Sequence, residues 1–280
     1  MNENEVRTNK RPFLSGPYFI WIIAFTVLPL IVIFRYALFD GNGHFTLSNI
    51  AAIFSSSINR KALWFSLEIA LGCTAFCILL SYPLVMALKH LGLSKRGFSL
   101  FIIILPMWMN FILRILAWQM ILSNNGILNL LLTTLGFEPV RIANTPTAIM
   151  IGSVYDYLPY MILPIYTSIM EINEDLIEAA KDLGANSFTV FCKIILPLSL
   201  PGLLSGIVMV FVPSMTSFVI SDILGGGKLQ LIGNIIEQEF MISNNWHVGS
   251  GLSVALMILV LLSMAFTRKR TADGKESLVW

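Results

Sequence analysis

Two carboxylates, Asp156 and Glu68, and two guanidinium groups, Arg35 and Arg114, stand inside long apolar runs. An ionised side chain in a hydrocarbon setting is costly, so each such group needs a partner of opposite charge or a task. Asp156 is the sharpest case. Counted from Thr147 at the helical rise, it lies about 14 Å along its run, close to mid-depth. Gly152, Ser153 and Tyr160 share its helical face, which makes a small, polar stripe that should look inward. The alternative is a structural carboxylate paired with a donor on a neighbouring helix. Glu68, about 10 Å into its run, is open to the same two readings. Asp222, Glu237 and Glu239 fall at or beyond the end of a later run, where acids either attract a cation or belong to a solvated loop. Trp108 and Trp118 offer ring faces to a path or sit in an interfacial belt, and the belt suits Trp118 better. Arg35 and Arg114 are placed near helix ends, where a long side chain snorkels to the interface or ties neighbouring ends together.

Other chemistries find no footing. The histidines, at 44, 90 and 247, share no metal-ligand spacing with one another or with the cysteines. Cys73, Cys77 and Cys192 read as small buried hydrophobes, not as a disulfide framework. The run Gly225 to Lys228, GGGK, has Asp222 where a phosphate loop needs its first glycine and Leu229 where it needs Ser or Thr, so it reads as a turn. The GSGLS stretch beginning at Gly249 has His247 beside it, but an intramembrane serine protease needs a histidine on a second facing helix, and no other run supplies one. An enzyme of this kind is a remote reading. The basic residues form no nucleic-acid signature.

The elements that must position these groups follow from composition. Residues of the AVILMFWYC set make up 56% of the 280 and charged residues 12%, with a mean hydropathy of +0.78. That balance predicts an all-α polytopic membrane protein. Six runs are long enough to span, at 17–38, 62–88, 98–122, 147–170, 201–223 and 249–267. The first follows Arg7, Lys10 and Arg11 but is too long for a signal peptide and lacks a cleavage site, so it reads as a retained helix. Lys and Arg concentrate in the segments that share a side with the N-terminus, including Lys89, Lys95, Arg96, Lys181, Lys193 and Arg268; the opposite loops hold only Arg60, Lys61, Arg141 and Lys228. Both termini and the 171–200 loop are therefore expected in the cytoplasm. The organisation is a tail at 1–16, a six-helix membrane domain at 17–267 and a tail at 268–280.

The 171–200 loop interrupts the apolar pattern with two short helices. Asn173 caps the first, and Glu174 and Asp175 favour its dipole. Leu176, Ile177, Ala180 and Leu183 give it an apolar stripe, and Gly184 fits the left-handed position past its end. Ser187 caps the second helix, which carries Phe188, Phe191, Ile194 and Ile195 before Pro197 and Pro201. Ala179 and Ala180 leave room for another surface to approach. Gly202, Ser205, Gly206 and Met209 form a small face on the fifth run, suited to close packing.

Glu178-Ala179-Ala180, Gly184, Ile194, Leu196 and Pro197 reproduce the EAA-x3-G-x9-I-x-L-P pattern, placed between the fourth and fifth of six runs. In this the chain resembles the permeases of ABC importers of type I fold. The resemblance implies that these seven residues couple the chain to a cytoplasmic ATPase. The stretches 105–129, 154–169 and 218–240 resemble the spermidine/putrescine permease subfamily, in particular the first of its two membrane subunits. It implies a polyamine cargo, a second homologous permease, two ATPase subunits and an extracytoplasmic binding protein. ATP and Mg would bind the ATPase, with no cofactor on this chain and no catalysis by it. A polycation needs carboxylates and aromatic faces along its path, and Asp156, Glu68, Tyr160, Trp108, Asp222, Glu237 and Glu239 are the residues that fit. An importer of ferric iron, sulfate or thiamine shares the loop and is the alternative.

Overall fold

The computed structural model describes residues 11–90, 101 and 103–276; the basic residues at 7, 10, 95 and 96 and the start of the third run lie outside that set. The chain begins in α1 (Arg11–Ile22) and passes through one π turn at Ile23–Val27 into α2 (Leu28–Leu38), with no break in direction of the span. Between Pro17 and Leu38 only Ala37 is buried. A tight loop follows, closed by the bridge of Phe39 to Phe45 and by Asp40, whose carboxylate accepts the amides of His44 at 2.8 Å and Asn42 at 2.9 Å. The His44 amide above all holds the Asp40 carboxyl below its ordinary range.

After α3 (Ser48–Ser55) comes the longest helix, α4 (Ser57–His90). Three further elements make up the next crossing and its loop: a single 3-10 turn at Leu105–Trp108, α5 (Phe111–Leu122) and α6 (Ile127–Thr134). Then α7 (Pro146–Met170) crosses back, started by Thr145, whose hydroxyl accepts the Ala148 amide, and by Pro146 in its first turn. The helices α4, α7 and α11 (Leu200–Thr216) pack together as the centre of the molecule. Ile69, Ile115, Ile149, Met161 and Ile165 belong to the larger apolar core. A smaller core gathers Ile53, Ala70, Met215, Ile232 and Leu252 where α3, α4, α11, α13 (Ile232–Met241) and α14 (Trp246–Glu276) meet.

Close approach of α7 and α11 depends on missing side chains. A Cβ at Gly202 would lie 2.3 Å from the Pro164 carbonyl oxygen, and one at Gly206 would lie 2.6 Å from Met161 Sδ. Ser205 and Met209, expected on the same packing face, are instead exposed. One helix face carries the contact, and these two point past it.

Two of the six expected runs are not continuous helices. The third is broken across 105–110, where Pro106 brings no backbone donor and Asn110 caps a new helix, its side chain accepting the Leu113 amide at 3.2 Å. The fifth is broken at Ser217, beyond which runs α12 (Phe218–Leu224). The sixth helix begins at Trp246 and continues past residue 267 to Glu276, so the expected tail boundary falls inside it. As expected, GGGK is a turn, with Gly226 and Gly227 at positive φ.

Candidate functional site

The two central charges meet. Asp156 on α7 is 5% exposed and Arg114, in the first turn of α5, is 8% exposed; the guanidinium Nη2 is ion-paired with Asp156 Oδ1, while Nη1 donates to the Pro106 carbonyl. Of the two readings of Arg114, snorkelling from a helix end or tying neighbouring helices together, the structure places it in the second: it lies about 12 Å along α5 from Leu122, buried, and joins α5 to Asp156 on α7. One guanidinium thus answers both a buried carboxylate and the Pro106 carbonyl, which also accepts the Met109 amide at 3.2 Å. Of the stripe around Asp156, Gly152 and Ser153 are buried, with Leu224 pressed on Gly152. Tyr160 departs from it and lies exposed, its ring 6.4 Å from that of buried Tyr157.

Glu68 has a different setting. It is exposed at a cavity of about 640 Å3 between α4 and α7, which also receives Trp118 from α5. The rings of Trp118 and Tyr155 meet edge to face at 5.1 Å in its wall, and Phe76, Met150 and Leu158 supply apolar lining. A carboxylate and aromatic rings sharing one apolar cavity are suited to an ammonium group. Trp118, placed by sequence in an interfacial belt, lines this cavity. Trp108 stands on the broken stretch of the third run, 75% exposed, its ring 5.6 Å from Phe101. The remaining acids lie elsewhere: Asp222 is exposed on α12, and Glu237 and Glu239 are half-buried on α13. Of these, Glu237 lines a groove, a separate one bounded by α2, α11, α13 and α14.

The 171–200 segment forms α8 (Glu174–Asp182), α9 (Ser187–Val190), a π turn at Phe191–Ile195 and α10 (Leu196–Leu198). Asn173 caps α8 by accepting the Asp175 amide at 3.0 Å. At its far end the amides of Gly184 and Ala185 return to the carbonyls of Lys181 and Ala180 at 2.8 and 3.0 Å, a Schellman closure with Gly184 at φ +83°. The second helix is capped one residue earlier than expected: Asn186 Oδ1, not Ser187, accepts from the Thr189 amide at 2.8 Å. Either residue type suits a cap, and it is Asn186 that has the extended backbone of a cap residue.

The expected apolar stripe divides between two faces. Ile177, Ala180, Phe191, Ile194 and Leu196 pack on the main core. Leu183 at 90% exposure, Phe188 at 75% and Leu176 at 50% point away from it, beside exposed Glu178 and Ala179. Cys192, expected to be buried like Cys73 and Cys77, is exposed on this segment. The base of the segment is tied down: Tyr82 Oη lies 2.9 Å from Ser199 Oγ, its ring meets Phe191 edge to face at 5.5 Å, and Lys89 Nζ donates to the Ile169 carbonyl at 3.4 Å. Pro197 stands in the first turn of α10, after which Ser187–Leu198 and Leu200–Thr216 meet at 68°.

Residues 84–268 match the family described as the binding-protein-dependent transport system inner membrane component. The spermidine/putrescine transport system permease protein PotB of Haemophilus influenzae is 38% identical over 252 residues, covering 87% of this chain and 88% of that protein. PotB of Escherichia coli K12 is 36% identical over 252 residues, with 87% and 91% covered. The inner membrane ABC transporter permease YdcU of the same organism is 27% identical over 238 residues, with 80% and 75% covered. Among solved structures, a chain of a bacterial ABC transporter for import of the acidic polysaccharide alginate superposes with a TM-score of 0.74, 16% identity and coverage of 94% and 95%. A bacterial alginate ABC transporter in complex with its alginate pentasaccharide-bound periplasmic protein gives 0.76, 17%, and 92% of each chain. These two share the fold.

Proposed function

Because the chain belongs to the family of binding-protein-dependent transport system inner membrane components, a class of non-catalytic, multi-pass permease subunits of the cytoplasmic membrane, we propose that its cargo is a polyamine, spermidine or putrescine. The observation that carries this reading is the likeness to PotB proteins along 87% of the chain. In the proposed assembly the chain pairs with a second permease, two ATPase subunits and an extracytoplasmic binding protein. Both termini and the 171–200 segment face the cytoplasm, in keeping with the Lys and Arg distribution.

The segment then works as a plug. Leu176, Leu183 and Phe188 enter a groove on the ATPase, and Glu178 and Ala179 form its polar, close-approach edge. Ile177, Ala180, Ile194 and Leu196 hold the plug to the bundle, with Gly184 and Pro197 setting its corners. ATP and Mg act on the partner; closure of the ATPase pair moves the segment as a rigid body and switches the bundle between its two openings.

For the cargo, the cavity of Glu68, Trp118 and Tyr155 offers one carboxylate and two ring faces, each ring contact contributing about 0.5–2 kcal/mol. Asp156 has its charge answered by Arg114, so its part in transport is to hold the broken third run against α7. Asp222, Tyr160 and Trp108 are exposed, and Glu239 is half-buried, where an approaching cation or the second permease would meet them.

The test is accumulation of labelled spermidine in cells lacking polyamine uptake, with this chain and its partner subunits expressed together. ATP-dependent uptake that falls in Glu68→Gln at matched membrane abundance is the expected result. An assembled complex that carries neither spermidine nor putrescine would show another cargo on the same architecture.

A further inference from the structure

The groove that holds Glu237 lies on other helices than the Glu68 cavity, and it measures about 760 Å3. Its lining is graded. Glu237, Tyr36 and Trp246 stand at one end, and Val212, Met257 and Val260 at the other. Along α14, from Trp246 to Val260, the groove extends about 21 Å, against about 15 Å of hydrocarbon in one leaflet. A site with a charged mouth, an aromatic collar and an apolar shaft of that length matches an amphiphile in both polarity and dimension.

Glu237 is half-buried in the groove wall and makes no ion pair or side-chain hydrogen bond among the described residues. A carboxylate left unanswered beside an apolar groove suits a cationic group brought by a ligand.

We propose that this groove binds one phospholipid with an ammonium headgroup, of the phosphatidylethanolamine type. The ammonium meets Glu237, and one acyl chain runs down past Leu256 and Met257 to Val260. The lipid belongs to the leaflet on the side of the Phe39–Phe45 loop. Charge sets the preference: an anionic headgroup would be repelled by Glu237, and a choline headgroup lacks the N–H donors that a carboxylate rewards. This site is independent of which cargo the transporter carries.

The experiment uses the assembled transporter in nanodiscs of equal phosphatidylethanolamine and phosphatidylglycerol, with retained lipid counted by native mass spectrometry after a delipidating wash. The wild type is expected to keep phosphatidylethanolamine in preference to phosphatidylglycerol. Glu237→Gln should lower its occupancy about tenfold and erase the preference, and Ser253→Phe, which puts a ring into the groove, should release both lipids. Equal retention by wild type and Glu237→Gln would overturn the headgroup assignment. A photoreactive side chain at position 257 that labels a protein subunit instead of lipid would show a partner helix in the groove and overturn the proposal altogether. If Ser253→Phe does not assemble, the Glu237→Gln comparison decides alone.

Discussion

The 173–198 segment and the crossing of α5 with α7 each reverse the ordinary rule of burial. In the first, Leu183 and Phe188 stand almost wholly in solvent; in the second, Arg114 and Asp156 carry full charges inside the bundle. The reversals resolve differently. The buried charges find their complement within the chain, with the Pro106 carbonyl as a second acceptor for Arg114. The exposed apolar groups have none among the described residues; in the proposed assembly their complement is the groove on the ATPase. One region is closed and stabilises the protomer; the other is open and makes it part of a machine.

The contrast can be broken hardest at the closed end. Removing one member of a buried pair strands the other charge, at a cost of about 3–5 kcal/mol. Arg114→Gln and Asp156→Asn should therefore each strip folded protein from the membrane, read as abundance and thermal stability in detergent, while the double variant recovers most of it. Single variants as stable as wild type would mean that the pair contributes nothing. At the open end the damage should be functional. Gly184→Asp forces a side chain into φ +83°, which should leave the protein inserted but reduce uptake to background. Undiminished uptake would remove the turn from the coupling route. Leu183→Asp and Phe188→Asp should leave the isolated chain as stable as before and weaken retention of the ATPase on purification, each side chain being worth about 1.5–3 kcal/mol if fully buried. A cavity residue sits between these extremes: Glu68→Gln should raise the half-saturating polyamine concentration about fivefold, an effect of roughly 1 kcal/mol. The smallest effect sharpens the cap assignment. Asn186→Ala should cost about 1 kcal/mol in thermal unfolding, whereas Ser187→Ala should be silent.

What could be read from sequence follows the same division. Asn173, Gly184 and the helices they bound were legible because caps and turns are set by residues a few positions apart. Local chemistry also has a limit of one residue, and Asn186 beside Ser187 shows it. Arg114 and Asp156 were both recognisable as out of place, yet their pairing was hidden, since it depends on where the third run stops being a helix. A proline followed four residues later by Asn, at 106 and 110, was the available signal: it starts a new helix at mid-depth and puts Arg114 in its first turn. The division of the apolar stripe between core and solvent, and the meeting of Trp118 with Tyr155, arise from helices far apart in sequence. Hydrophobic periodicity carries no trace of either.

The contact of Gly202 with the Pro164 carbonyl has a mechanical consequence. It comes directly after the 68° bend between Ser187–Leu198 and Leu200–Thr216, and beside it only the small Ser168 side chain reaches Gly202 closely, which leaves little to absorb displacement. A force applied near Leu183 therefore travels along a short crank and reaches a close fulcrum, where α11 can pivot on α7 but cannot sink into it. The travel of the far arm is then fixed by geometry, and in the proposed assembly even a small stroke from the ATPase would be delivered without slack.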